Sequence, residues 1–171
     1  VKGGKRLPKG FTLQSIPTPY PYIRLSDMHT GGVSPDNIHY VPEKAFPSIS
    51  NYRIFCDDIF ISVAGTLGIV GIVPESLNGA NLTENADHIT DIQCDQKYLF
   101  YWLMSDYVQK MIDSIRTVGA QPKLALGRIG TFPVALPQNR DEQHAIAAVL
   151  SDVDALLAAL DKLIAKKRGI K

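Results

Sequence analysis

The stretch LPQNRDEQHAIAAVLSDVDALLAALDKLIAKKRGIK, residues 136–171, decides the fold of this chain. Six apolar side chains recur in it at alternating spacings of four and three: Ile146, Leu150, Val153, Leu157, Leu160 and Ile164. This heptad pattern predicts a long helix whose apolar stripe pairs with another helix. Asn139 is a suitable N-cap, and basic residues 166–168 before Gly169 suit the helix C-terminus. At about 1.5 Å per residue the helix is about 40 Å long.

A helix of this length is too long to lie entirely over a domain built from the remaining residues. We therefore expect its stripe to pair with a second long helix, in the same complex or in a second copy of the chain. The alternative is a C-terminal helix that folds back on its own sheet.

The residues before this helix predict a β-rich domain with one packed helix, so the fold class is α+β. The pattern predicts strands at 20–25, 38–41, 59–63, 81–84, 89–92 and 132–136, and an amphipathic helix at 96–116. Within AGTLGIVGIVP, residues 64–74, the glycines Gly65, Gly68 and Gly71 favour a tight turn between two short buried strands. We interpret these glycines as structural. The predicted division is a domain at 1–137 and a helix at 138–171.

Composition narrows the classes of function. Of 171 residues 45% are hydrophobic, enough for a core, and the net charge is only +1. Nucleic-acid contact would therefore need a local basic patch, and residues 1–26 contain five cations and no acid. Two cysteines form no disulfide framework, which favours reduced thiols and a cytoplasmic location. No apolar run is long enough to predict a membrane span.

No recognisable catalytic or metal site appears in the sequence, so we expect none. The four histidines lack metal-ligand spacing, and no phosphate loop or dinucleotide motif follows the glycines. Pro35-Asp36 with Asp95-Gln96-Lys97 loosely imitates a nuclease pattern, and a small nuclease is one alternative. Asp95, however, stands where a helix start favours an aspartate cap.

The tail resembles the conserved region of type I restriction-modification specificity subunits. The resemblance rests on Leu136-Pro137, Glu142-Gln143, Asp154, the leucine and isoleucine spacing, and the basic residues 166–168. GGKRLPKG, YPYIRLSDM, DDIFISVAGTLGIVGIVP, YLFYWLMS and VGAQPKLALGRIGTFPVALP are similar to segments of the recognition domain in that family. A full subunit has two recognition domains and two spacer helices, whereas this sequence holds one of each.

The resemblance implies a non-catalytic, DNA-binding specificity subunit. Residues 1–137 would be the target-recognition domain, which reads one half of a bipartite double-stranded target, and 138–171 the spacer helix. Methyltransferase subunits, which carry S-adenosylmethionine, would dock around the helix, and a restriction subunit is a further expected partner. This chain would bind no cofactor itself. The chain would be either a half-length subunit or a piece of a longer one, and a half subunit would form a homodimer through the C-terminal helix. The alternative is a non-DNA adaptor that assembles a complex through that helix.

Candidate DNA contacts come from loops that carry cations and amides, since these hold phosphates and read base edges. The first group, for phosphates, is Lys2, Lys5, Arg6 and Lys9. The second is the loop at 116–128, with Arg116, Gln121, Lys123 and Arg128. Tyr20 and Arg24 are expected to flank the groove, although the tyrosine could equally belong to the core.

Overall fold

The computed structural model describes residues 1–115 and 123–169 and confirms the α+β class. Its strands are β1 Lys2–Gly3, β2 Pro21–Ile23, β3 Met28–His29, β4 Gly32–Val33, β5 His39–Tyr40, β6 Arg53–Ile54, β7 Ile59–Ser62, β8 Val70–Ile72, β9 Ala80–Leu82 and β10 Ala86–Ile89. Its α-helices are α1 Gln96–Met104, α2 Asp106–Ser114, α3 Leu126–Ile129 and α4 Arg140–Arg168.

The strands form two four-stranded sheets and a hairpin of β3 and β4. The first sheet has the order β1-β10-β7-β8 and is antiparallel throughout. The second has the order β5-β2-β9-β6, with β2 and β9 parallel. Strands predicted at 20–25, 38–41, 59–63 and 81–84 are present in shorter form, whereas the strand predicted at 89–92 is wrong in position. That strand ends at Ile89, where its pairing with β7 ends, and Asp91 beyond it has a positive φ.

The glycine-rich segment forms the predicted turn between two buried strands, β7 and β8. Gly65 and Gly68 have φ values of +75° and +80°, a region that favours glycine. Gly71 lies opposite Phe60, and a Cβ there would come within 2.4 Å of the Phe60 ring. The glycine therefore lets the two strands pack closely, which agrees with a structural role.

The single helix predicted at 96–116 is wrong, because the chain breaks at Ser105 into α1 and α2. Ser105 has a ψ of 148°, which ends the helical backbone, and its hydroxyl accepts a hydrogen bond from the Val108 amide. The apolar residues on both helices still pack on the first sheet. Leu103 on α1 and Ile112 on α2 join one core cluster with Ile59 and Ile61.

The strand predicted at 132–136 is also wrong. Side chains of α1 bond the backbone of this segment, which pairs with no strand among the described residues. The Trp102 indole donates to the carbonyl of Pro133 at 2.9 Å, and the Tyr98 hydroxyl donates to that of Ala135. Pro133 has no amide hydrogen to give to a ladder, which favours this arrangement.

Helix α4 begins as predicted, with the Asn139 side chain accepting the Asp141 amide at 2.8 Å. Its first half lies on the domain through Gln143 and Ala147, which are both buried. Gln143 accepts from the Asp95 amide at 2.9 Å and donates to the Pro137 carbonyl at 2.7 Å. The first half of the helix therefore follows the folded-back alternative.

Asp154 makes a further contact with the domain, since its carboxylate accepts a hydrogen bond from the Tyr101 hydroxyl at 2.9 Å. Beyond Asp154 the second half of α4 projects away, and every residue from 152 to 169 is exposed. The six stripe residues are between 37% and 55% exposed, so the face that contacts the domain is a different one. The 29-residue helix is about 43 Å long at about 1.5 Å per residue. Pairing of the stripe with another helix, and the domain boundary at 137, stay predictions. None of the described helices is both long and apolar enough to cross a membrane.

Candidate nucleic-acid interface

A cleft of about 650 Å³ opens between the N-terminal segment and residues 123–126. Its walls carry two cations and two acids, namely Lys5, Lys123, Glu84 and Asp87. The cleft brings together one candidate from each of the two predicted loops. It is therefore the best-formed candidate for DNA contact among the described residues.

The N-terminal wall is held tightly against the sheets. Lys2 and Gly3 pair with β10, the Gly4 amide donates to the Ala86 carbonyl at 3.0 Å, and the Lys5 amide donates to the Leu82 carbonyl at 2.8 Å. A Cβ on Gly4 would lie 2.0 Å from the Thr83 carbonyl oxygen, so only glycine fits this approach. The backbone of Lys5 is thereby fixed at the rim of the cleft.

The opposite wall is fixed by pairing with the strand end of β7. The Leu124 amide donates to the Val63 carbonyl at 2.9 Å, and Lys123 forms a bridge with Ala64. Leu124 is buried in the main core cluster. Because its neighbour Leu124 is anchored, the Lys123 side chain is placed at the cleft.

Arg6 and Glu84 form an ion pair across the rim, with 2.6 Å between Nε and Oε1. Burial is the largest single effect on the Glu84 carboxyl and would raise its pKa, but the hydrogen bonds from Arg6, the Glu84 amide and Thr83, together with the charge of Arg6, outweigh burial and the pKa is lowered. The positive charge of Arg6 is therefore partly neutralised within the chain. Lys2 and Lys9 lie on the same segment and are exposed, but neither lines the cleft.

Arg24 and Tyr20 have intramolecular partners away from the cleft. Two guanidinium nitrogens of Arg24 bond the Asp27 carboxylate at 3.0 and 2.6 Å, and this bond raises the pKa of Arg24. The Tyr20 ring stacks on Phe46 with 3.7 Å between centroids, in a small core cluster. These contacts favour structural roles, and DNA contact by either residue stays a prediction.

The remaining candidates are less well placed or not described. Arg128, on α3, lines a separate hollow with Met111 and Phe132. Arg116 and Gln121 lie outside the described residues. The DNA contacts named from sequence all stay predictions.

Sequence reasoning missed Glu84 and Asp87. The sequence offered no clear signal for either residue, because ADHI, strand β10, mixes polar and apolar residues and its burial is seen only in the structure. Burial raises the pKa of the Asp87 carboxyl, and the positive charge of Lys123 lowers it in part.

The metal-site and nuclease possibilities can be compared with the part of the chain that the structure describes. No group of three or more histidine, cysteine, aspartate or glutamate side chains there could hold a metal ion. Asp95, named in the loose nuclease pattern, accepts the Tyr98 amide at 2.9 Å and so caps α1. His144 also approaches this carboxylate, at 3.2 Å.

Comparison with known proteins gives one family. The family model for the type I restriction modification DNA specificity domain matches residues 1–167. No curated protein matches the chain.

Two solved structures have a similar fold. One is a chain from work on complex assembly and conformational transition of the type I R-M system. It has a TM-score of 0.70 and 17% sequence identity to the present chain, and the match covers 96% of the present chain and 38% of that one. The other is the S subunit of a Type-I restriction-modification system from M. genitalium, with a TM-score of 0.61 and 20% identity over 98% of this chain and 39% of that one. The present chain therefore spans about two fifths of their length.

Proposed function

The chain belongs to the family of type I restriction modification DNA specificity domains, and we propose that it reads one half of a bipartite target in double-stranded DNA. The observation that carries this proposal is the cleft at which Lys5 and Lys123 meet. The two lysines come from segments far apart in the sequence, and separate backbone hydrogen bonds fix each segment. Lysines on a rigid frame can hold phosphates and set the register of the domain on the duplex.

Helix α4 would join the chain to the second half of the assembly. Its exposed apolar stripe supports pairing with a second copy of the chain, in a two-fold dimer. A helix about 43 Å long covers slightly more than one turn of duplex, which is about 34 Å, so paired helices would fix the gap between two half-sites. The dimer would then read an inverted repeat.

The chemistry would be carried by partners. Methyltransferase subunits that bind S-adenosylmethionine would dock around α4, and a restriction subunit would join them in the cytoplasm. In this proposal the chain is a non-catalytic subunit without a cofactor of its own. A chain of similar fold comes from work on the complex assembly of a type I R-M system, which supports an assembly of this kind.

The function can be tested by replacing both lysines of the cleft. We expect Lys5→Ala with Lys123→Ala to weaken binding to duplexes of every sequence alike, because phosphate contacts carry no sequence information. The slope of log K against log salt should become shallower by about 2, since each lost contact removes about 0.9. A mobility-shift titration at several salt concentrations measures both quantities.

A matched control removes two lysines away from the cleft. Lys110 pairs with Asp106 on α2, and Lys44 is exposed and does not line the cleft. Lys110→Ala with Lys44→Ala should leave the salt slope almost unchanged. Equal slopes for wild type and the cleft variant would contradict the proposed interface, and absence of any DNA binding with methyltransferase subunits present would favour the adaptor alternative.

A further inference from the structure

Asp87 differs from the other buried carboxylates of the domain in its hydrogen bonding. Three aspartates are buried, namely Asp27, Asp58 and Asp87. Asp27 bonds Arg24, and Asp58 accepts hydrogen bonds from His88 and the Phe55 amide. Within residues 1–115 and 123–169, Asp87 receives no hydrogen bond or ion pair, although it is only 6% exposed. Its oxygens border the open cleft, where the charge of Lys123 acts on them but no donor of the described residues bonds them. A donor on a ligand that enters the cleft can therefore bond this carboxylate.

The fold directs this carboxylate into the cleft. Asp87 lies in β10 between Gly3 on β1 and Ile61 on β7. A Cβ on Gly3 would lie 3.2 Å from Oδ1 of Asp87, so the neighbouring strand leaves space on that side only because the residue is glycine. The open side of the carboxylate is the cleft that Lys5 and Lys123 also line.

The other charges limit what the cleft can hold. Glu84 is already paired with Arg6, so Asp87 is the acceptor left over, beside two cationic donors. A ligand that fits must offer an N–H donor next to acceptor atoms. The major-groove edge of adenine offers an amino group beside N7, and cytosine offers an amino group, whereas guanine O6 and N7 and thymine O4 are acceptors only.

We propose that the Asp87 carboxylate accepts a hydrogen bond from the exocyclic amino group of an adenine or cytosine, and so reads one base of the target. The proposal rests on the function proposed above. Lys5 and Lys123 would hold the adjacent phosphates, while Asp87 would discriminate. Aspartate is a known acceptor for the cytosine amino group, and a good base contact discriminates by about 1–3 kcal/mol.

The test selects duplexes from a randomised pool with the full chain and its methyltransferase subunits. The wild type should recover adenine or cytosine at one position of the half-site. Asp87→Ala should lose that preference by about 5- to 150-fold, the equivalent of a good base contact, and keep the others. Affinity for the preferred duplex should fall, because the base contact is lost, whereas affinity for duplexes with another base at that position should stay equal or rise, because a negative charge near phosphates is removed. Asp87→Asn, which keeps the shape and a neutral acceptor, should give an intermediate preference.

A base-analogue experiment separates reading from a merely structural role. Replacing the adenine by purine, or the cytosine by 2-pyrimidinone, removes only the amino group. The wild type should bind this duplex as weakly as a mismatched one, and Asp87→Ala should not distinguish it from the original. Lys5→Ala serves as the control, since it should weaken binding while the recovered sequence is kept.

The outcomes are distinguishable. If the wild type recovers no preferred sequence, the proposed function fails. If it recovers one and Asp87→Ala recovers the same sequence, the proposal for Asp87 alone is overturned. If Asp87→Ala loses base preference equally at every position of the half-site and also binds more weakly, the proposal for Asp87 is overturned as well. That result would indicate a structural role for Asp87, or a contact between its carboxylate and a cationic side chain of a partner.

Discussion

We expect the replacement of Leu157 and Leu160 by aspartate to convert the proposed dimer of this chain into a monomer. Both residues lie on the half of α4 that projects beyond the domain, and they are 55% and 46% exposed in the single chain. In a two-fold dimer each substitution occurs twice. Loss of a buried leucine costs about 2–5 kcal/mol before the cost of a buried charge is added. The association should therefore weaken by more than about 1,000-fold, since 1.4 kcal/mol corresponds to tenfold.

Sedimentation equilibrium at micromolar concentrations measures this change. The control is Ala148→Asp with Ala159→Asp, which places the same charges on the opposite, exposed face of the helix. This control should remain dimeric. The thermal unfolding of the domain should be the same in all three proteins, because none of these side chains is buried in it. A leucine variant with wild-type mass in solution would contradict pairing through the stripe.

Replacing His88 by leucine will destabilise the domain strongly at neutral pH. His88 and Asp58 are buried, and Nδ1 of the histidine donates to Oδ2 of the carboxylate at 2.9 Å. Removing one partner leaves a buried carboxylate without its main donor, which costs about 3–5 kcal/mol. Urea unfolding at pH 7 measures the loss. His144→Leu is the matched control: that histidine also approaches an aspartate, but it is 78% exposed and its loss should cost little.

The same pair predicts how stability depends on pH. Burial is the largest single effect on the Asp58 carboxyl and would raise its pKa, but the hydrogen bonds from His88, the Phe55 amide and Thr90, together with the charge of His88, outweigh burial and the pKa is lowered. A lowered pKa in the folded state stabilises the fold above the unfolded value of about 3.9, and this contribution is lost as the pH falls below it. The stabilities of wild type and His88→Leu should therefore converge below about pH 4. If the free energies of unfolding of wild type and His88→Leu differ by the same amount at pH 7 and at pH 3.5, the pair does not have this effect on stability.

The sequence predicted best the elements whose signals are local. The heptad spacing and the Asn139 cap locate α4 well, and the apolar run at 59–63 locates β7. The break at Ser105 could not be predicted, because apolar side chains continue at helical spacing on both sides of it. The pattern at 132–136 could not be resolved either. Its carbonyls bond the side chains of Tyr98 and Trp102, which is a tertiary arrangement.

The way α4 contacts its own domain was also beyond the sequence pattern. The apolar stripe predicts an interface, but the domain is contacted by Gln143 and Ala147 on another face. Gln143 is held there by two backbone partners, and the small alanine permits close approach. Hydrogen bonds between distant segments give no periodic signal, so a polar face can carry a contact that hydrophobic patterning does not reveal.

In the candidate site, too, the local features could be predicted from the sequence and the tertiary arrangement could not. Lys5 and Lys123 could be named individually as cations in loops, but their meeting at one cleft depends on pairing with β9 and β7. Asp87 could not be singled out, because an aspartate without a partner is recognised only once its neighbours are known. The residue types on each loop were predictable, and their convergence was not.

In the proposed assembly this chain reads one half-site and a second copy, joined through α4, reads the other half. Footprinting of the wild-type chain with its methyltransferase subunits, on a duplex recovered from a random pool, can show whether both half-sites are bound. We predict two protected half-sites of the same sequence in inverted orientation, a fixed gap between them, and two copies of the chain on each duplex. A single unrepeated half-site with one copy bound would contradict the account.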